Sequence, residues 1–319
     1  MHYEIITHEV EIPIRALKYA SIYEVDLNQM KILVDSGMSE LAIRSLQQSG
    51  LKIELVDTLV ITHLHIDHIG GSVAIQDKSS CDVVMGERDY AILKSIVEDP
   101  EGYKKEFTRR SIENGFPESL SQSISRGLPF EKNADRFSKL NVTRKISVEE
   151  TIYDEIECIP VPGHSPGSTG YSITGSDIFF SGDHILERIT PNISVYNLDQ
   201  DMLGLYLKSL DKVKSRDYKT CYPGHGQPFS GINDRIESIK THHADRLKEI
   251  LNVAKDWSTG FDVASRIRWN RGRKIDSMNE MEKNFAFGEA LAHMIHLYRE
   301  NKMERKEEGN RIFFKTVEQ

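Results

Sequence analysis

The segment Thr62-His63-Leu64-His65-Ile66-Asp67-His68-Ile69-Gly70-Gly71 packs imidazoles and a carboxylate into a few consecutive positions. In an extended chain His63 and His65 point to one side, so together they can hold one cation. Asp67 and His68 fall where the chain begins to turn, eased by Gly70 and Gly71, and can face another direction. With no cation, so many polar groups would be partly desolvated without partners. Two further turns share a design: Val161-Pro162-Gly163-His164 and Tyr222-Pro223-Gly224-His225. Each sets a histidine just past an apolar run, on a turn stiffened by proline and freed by glycine. A third apolar run ends in Gly182-Asp183. These groups suffice for two metal ions, and a carboxylate such as Asp183 has two oxygens with which to bridge them.

The positions demand a scaffold of strands with functional groups at their ends. Period-two apolar patterning and short apolar runs predict strands over 3–12, 18–26, 31–35, 58–62, 82–85, 155–161, 170–173, 177–181 and 219–222. Helical spacing predicts helices over 39–48 (closed by Gly50), 203–213, 232–255, 261–268 and 285–301. Residues 87–140 are charged and rich in helix formers, and read as helices inserted between strands, a cap in which Tyr90, Tyr103, Phe107, Phe116 and Phe130 could line an apolar pocket. Residues 303–316 read as a hairpin turning at Glu307-Glu308-Gly309-Asn310. Helices followed by a hairpin suggest a winged-helix module, which puts a boundary near residue 232.

The 319 residues carry a formal net charge of −8, with 39% hydrophobic and 28% charged side chains. That is a globular composition with material for a core. An acidic surface repels nucleic acid. The counter-signal is the basic run Arg266, Arg268, Arg271, Arg273 and Lys274 in the C-terminal part, for which a solvated loop is the plain reading. No apolar stretch is long enough for a membrane span, and the N-terminus does not read as a secretory signal. Three widely spaced cysteines, Cys81, Cys158 and Cys221, do not make a disulfide framework, and a cytoplasmic protein is expected. Cys158 and Cys221 fall within expected strands and read as buried core.

Taken together these motifs resemble the metallo-β-lactamase superfamily over roughly residues 1–230. The resemblance implies an α/β fold, a metallo-β-lactamase αββα sandwich with a helical insertion and a C-terminal winged-helix-like domain. The units would be 1–231 (cap 87–140) and 232–319. It matches Asp35 to the first motif, His63, His65, Asp67 and His68 to the second, His164 to the third, Asp183 to the fourth and His225 to the fifth. It implies one ion on His63, His65 and His164, another on Asp67, His68 and His225, and Asp183 as the bridge. Asp183 departs from the pattern of the antibiotic-cleaving members, and His65 stands where flavin-linked di-iron members carry Glu.

The expected function is therefore dinuclear metal-dependent hydrolysis. Two divalent ions about 3.5–4 Å apart lower the pKa of a shared water, giving a metal-bridging hydroxide at neutral pH. Asp67 is the candidate catalytic group that orients it. The all-nitrogen-and-oxygen donor set suits Zn2+, with Fe2+ and Mn2+ able to take the same groups. An ester-like bond, a thioester or lactone, in a small molecule is the expected target. The alternative is a nuclease on single-stranded RNA or DNA, gripping phosphates through the basic run, and a mononuclear iron oxygenase is a third reading. Asp35 is expected to orient the ligand loop. His184 is a candidate proton donor, or a packing residue beside Asp183. In the 285–301 helix Glu289, His293, His296, Arg299 and Glu300 occupy polar positions, a mixture poor for phosphate contact, so the C-terminal module is expected to pack rather than bind nucleic acid.

Overall fold

The computed structural model describes residues 2–13, 17–127 and 133–317, apart from the side chains of Glu40 and Arg271. Phe130 lies outside the described residues. Six strands form a first sheet in chain order: β1 (Tyr3–Glu11), β2 (Tyr19–Leu27), β3 (Met30–Val34), β4 (Thr58–Ile61), β5 (Asp82–Gly86) and β6 (Arg144–Ile146). The pairs from β1 to β3 are antiparallel and those from β3 to β6 parallel. The second sheet runs β12-β11-β10-β9-β8-β7, built from β7 (Glu150–Ile152), β8 (Ile156–Pro160), β9 (Thr169–Ile173), β10 (Ile178–Gly182), β11 (Thr220–Pro223) and β12 (Phe229–Ser230). Only its β10–β11 pair is parallel.

Period-two alternation divides the strand side chains between two layers. Tyr23, Val25 and Leu27 of β2, Val60 of β4 and Ile178 and Phe180 of β10 pack between the sheets. Ala20, Ile22, Leu59 and Ile61 face outward, into a cluster shared with α1 (Glu40–Gln48). Phe179 faces the opposite outer layer. With both faces covered, the strands are apolar almost throughout. The layers are helices, sheet, sheet, helices. The sheets are also hydrogen-bonded to each other where they meet: Tyr171 Oη donates to Ile61 O, Thr169 N to Thr62 O and Tyr23 Oη to Pro223 O.

After β4 come α2 (Ile66–Ile69) and α3 (Ser72–Ser79). The insertion between the neighbouring strands β5 and β6 includes α4 (Glu87–Glu98), α5 (Pro100–Glu113), α6 (Glu118–Gly127) and α7 (Ala134–Phe137). Its aromatics mostly serve the core. Phe116 is buried against Phe261 and Phe287, Phe107 leans on the same cluster, and Tyr90 packs under Lys145. The apolar pocket expected of these side chains does not form from Phe116, whose ring instead stitches the insertion to the C-terminal helices.

The outer layer of the second sheet is α8 (Met202–Lys214), α9 (Ile232–Val253), α10 (Gly260–Arg266) and α11 (Glu280–Arg299), and the chain closes in a hairpin of β13 (Met303–Glu308) and β14 (Arg311–Thr316). The hairpin turns one residue later than expected. Gly309 and Asn310 both take positive φ, 56° and 60°, the conformation a two-residue turn needs. Helix α11 starts five residues earlier than its apolar stripe suggests, because Asn279 and Glu282 form a reciprocal cap. It is also not amphipathic in place. His293 and His296 are buried like Phe287 and Leu291, since α11 is enclosed by its neighbours. No helix among the described residues is long and apolar enough to cross a membrane.

Candidate metal centre

Four strand ends converge on one edge of the sandwich. His63, His65, Asp67 and His68 follow β4, His164 follows β8, Asp183 follows β10 and His225 follows β11. All seven of the expected side chains are brought together. Six of them form two donor groups, each within reach of one ion: His63, His65 and His164 in one, Asp67, His68 and His225 in the other; Asp183 forms a third such group with His63 and His68, drawn from both.

In the first group His65 Nδ1 lies 3.0 Å from His63 Nε2 and 2.9 Å from His164 Nε2. The outer nitrogens are held elsewhere. His63 Nδ1 is 3.0 Å from Thr62 Oγ1, which itself donates to Asp35 Oδ2. His164 Nδ1 donates to the Asn192 carbonyl at 2.9 Å, and His65 Nε2 is 2.8 Å from the Tyr196 hydroxyl. Occupied outer nitrogens leave the inner ones with lone pairs aimed at a common point.

The second group repeats the logic. His68 Nδ1 donates to Asp35 Oδ2 at 2.7 Å and His225 Nδ1 to the Tyr19 carbonyl at 2.7 Å. Their Nε2 atoms are buried without hydrogen-bond partners, as is Asp183 Oδ1. Asp183 spans both groups. Its Oδ1 is 3.5 Å from both His68 Nε2 and His225 Nε2, and its Oδ2 is 3.6 Å from His164 Nε2. Asp67 Oδ2 is 3.4 Å from His225 Nε2.

These spacings fit metal binding. Metal–nitrogen bonds of about 2.0–2.1 Å at tetrahedral angles put ligand atoms roughly 3.3 Å apart. Orphaned buried donor atoms converging at that spacing have an explanation in a cation and none in packing. The side chains with which Asp35 holds His68 and Thr62 are the outer partners that fix ring orientation at metal sites. Asp35 does this from a left-handed backbone, φ 64°.

Charge separates the two groups. Burial, then the neighbouring imidazole of His164, pushes His65 down to about 3. Burial, then His68 and His65, holds His63 well below the ordinary histidine range. In the second group burial also opposes protonation, but Asp35, Asp67 and Asp183 raise His68 to about 9, and Asp183 and Asp67 raise His225 to about 11. Against burial, His68 and His225 hold Asp67 down at about 2.

His184, a candidate proton donor or packing residue, is buried beside Asp183. Burial holds its imidazole neutral, pushed down to about 3, and the ring packs edge-on against Tyr206. Three residues carry weight that their sequence context hides. Asp89, fully buried at the start of α4, accepts from Leu64 N (2.9 Å), Gly167 N (2.6 Å) and Ser165 Oγ (2.6 Å). It thereby ties the His63–His65 turn to the His164 turn. Asn192 and Tyr196 sit in an irregular stretch and supply the outer partners of His164 and His65. An acid in the first turn of a helix reads as a dipole partner, and neither loop residue shows a periodic or motif signal.

The sequence pattern of the metallo-beta-lactamase superfamily matches residues 17–225, and that of the metallo-beta-lactamase-like C-terminal domain matches residues 272–316. The chain belongs to the metallo-beta-lactamase superfamily. It is 22% identical over 307 residues to "Probable metallo-hydrolase YqjP" of Bacillus subtilis, covering 89% of this chain and 90% of that one. It is 24% identical over 259 residues to "Beta-lactamase-like protein 2 homolog" of Caenorhabditis elegans (79% and 71%). A relative from Aspergillus fumigatus, "Atrochrysone carboxyl ACP thioesterase", is 21% identical over 238 residues (74% and 59%). Among solved structures, a metallo-beta-lactamase family protein from Thermus thermophilus superposes with a TM-score of 0.80 at 23% identity, over 98% of each chain. At that identity the likeness speaks for the fold.

Proposed function

We propose that this chain is a dinuclear metal-dependent hydrolase that cleaves an ester-like bond, a thioester or lactone, in a small molecule. The observation that carries the reading is Asp183, one oxygen turned to each donor group. His63, His65 and His164 would hold one ion, Asp67, His68 and His225 the other, with Asp183 shared between them. Zn2+ is the ion we assign to this donor set. Bound there, the pair supplies Lewis acidity, polarising the scissile carbonyl and making hydroxide available from water near neutral pH.

The protein's own groups do the rest. Asp67, ionised well below neutral pH, accepts a hydrogen bond from the attacking water and fixes its direction. His63, His164, His68 and His225 are locked at their outer nitrogens, so the inner donors need no reorganisation when the ester oxygen gains charge. Asp89 keeps the His65 and His164 turns in register.

The thioesterase name of the Aspergillus relative favours an acyl substrate. The nuclease alternative is weakened where two residues of the basic run are engaged internally. Arg273 pairs with Glu282, and Arg266 donates to Ser258 Oγ and Val253 O. We divide the chain into a catalytic unit, 1–231, with the 87–140 helices as its cap, and a C-terminal unit of winged-helix type, 232–319. Residues 286–297 of α11 are enclosed apart from the half-buried Glu289, which favours a packing role for that part of the helix. Buried free thiols at Cys81, Cys158 and Cys221 suit a reducing, cytoplasmic setting.

Metal analysis of purified protein, paired with a panel of thioesters, lactones, phosphodiesters and short RNA, tests the reading. Two equivalents of divalent metal and turnover of an acyl substrate are expected. Absence of stoichiometric metal would remove the mechanism, and turnover confined to phosphodiesters would remove the substrate class.

A further inference from the structure

Residues 186–201, between β10 and α8, form neither helix nor strand, yet they hold two of the three imidazoles of the first donor group. The Asn192 carbonyl takes the His164 Nδ1 proton, and the Tyr196 hydroxyl meets His65 Nε2. A segment without a ladder must be restrained by other bonds if it is to position anything.

Those restraints come largely from the C-terminal helices. From α9, Arg235 donates Nε to Leu186 O at 2.6 Å and Nη2 to Ile189 O at 2.7 Å. From α11, Phe285 O and Glu289 Oε2 both accept from Asn192 Nδ2 at 3.2 Å. Gly288 of α11 lies so close to Ser194 that any Cβ there would collide with the serine side chain. Further along α11, His296 Nδ1 is 2.9 Å from Asp201 Oδ2, and Arg299 Nη2 donates to Asp199 O at 2.9 Å. The insertion adds one bond, from Arg110 to Tyr196 O. The second donor group has no such dependence. The outer partners of His68 and His225 are Asp35 and Tyr19 O, both at the first sheet.

We propose that α11 is a positioning element for the three-imidazole site alone: Glu289 and Phe285 O fix the Asn192 amide, and so fix the carbonyl that sets the His164 ring. Asn192 and Glu289 are positioning residues, since their side chains touch no ligand atom. The inference rests on the ligand assignment above. It gives the C-terminal unit a task in the metal centre that contact with nucleic acid or with a partner would not require.

The variants Asn192→Ala and Glu289→Ala test it, with Glu289→Gln keeping an acceptor for Asn192 Nδ2. Zn2+ affinity is measured for both ions by competition with a chelator, and the melting point of the cation-free protein is followed alongside. In Co2+-loaded protein the shifted ring N–H signals of His164, His68 and His225 report each ligand separately. Asn192→Ala and Glu289→Ala should weaken one ion by about 10–100-fold, as loss of an outer partner does elsewhere. The His164 N–H should exchange faster with solvent while the His68 and His225 signals stay put. Glu289→Gln should stay within a few-fold of the parent. Affinities within twofold of the parent in both alanine variants would overturn the proposal, and so would equal weakening of both ions. Parent protein that binds no metal at all would instead strike the ligand assignment, and is seen before any variant is made.

Discussion

The two donor groups share the imidazole as their main donor, but the second replaces one imidazole with the Asp67 carboxylate, and their histidines are held in different charge states. In the three-imidazole group the nearest neighbours are other imidazoles, and burial keeps the rings neutral and ready to ligate. In the other group Asp35, Asp67 and Asp183 surround His68 and His225 and hold protons on them until a cation takes their place. Neighbours, and not the identity of the side chain, set the state of a buried histidine. The groups differ in support as well. Asp35 at the first sheet supports both, but only the three-imidazole group leans in addition on a loop, on Asp89 and on the C-terminal helices.

The harshest way to break the contrast is Asp183→Asn, which removes the charge shared by both groups. Metal content should fall from two equivalents to one or fewer, and kcat/KM by about 100-fold or more. Unchanged stoichiometry would show that Asp183 does not bridge. Asp35→Asn comes next, because Asp35 holds His68 directly and His63 through Thr62. Both ions should weaken by about 10–100-fold, unlike the one-sided effect expected from Asn192.

Acidity sharpens the contrast further. With His68 near 9 and His225 near 11, both rings are protonated at pH 7 in the cation-free protein, so loading that group expels protons. Affinity there should climb about tenfold per pH unit for each proton displaced, while the three-imidazole group, already deprotonated, should respond little. Calorimetry in buffers of different ionisation enthalpy counts the protons, and equal release from both ions would erase the distinction.

A separate test, read in stability and not in metal affinity, belongs to Asp89, which burial raises to about 6. Its folded pKa exceeds the unfolded value of about 3.9, so its contribution is fully present below pH 4 and is lost as pH rises through 6. The shift corresponds to about 3 kcal/mol. Asp89→Asn should abolish that part of the pH dependence. It also turns an amide toward Leu64 N–H, at a cost of about 1–3 kcal/mol. Melting curves of cation-free parent and variant between pH 4 and 7 supply the difference, and parallel curves would contradict it.

The convergence of the seven donor side chains was legible because each is a strongly polar residue in a fixed place just after a strand. Of their supports Asp35 was expected, while Asn192 and Tyr196 were not. Asn192 acts through its backbone carbonyl and Tyr196 through a loop with no period, so nothing local marks them. The central strands were legible from alternation, but β6 and β7 are three residues long and largely exposed, with no pattern to read. His293 and His296 read as an outward face because helical spacing shows which residues share a side, and not whether a second layer covers it. A hairpin and α9 enclose α11, and that is information held in other parts of the chain.

The backbone of Gly224 runs close to two of the donor side chains: a Cβ there would stand 2.5 Å from Asp183 Oδ1 and 2.6 Å from His68 Cε1. Its amide bonds to Gly182 O in one sheet, and its carbonyl receives Ser21 N from the other. The seam of the sandwich thus passes through the wall of the candidate metal centre. Sliding the layers by the width of a methyl group would spoil that centre long before any strand frayed, so mild denaturant should abolish activity while circular dichroism still looks intact.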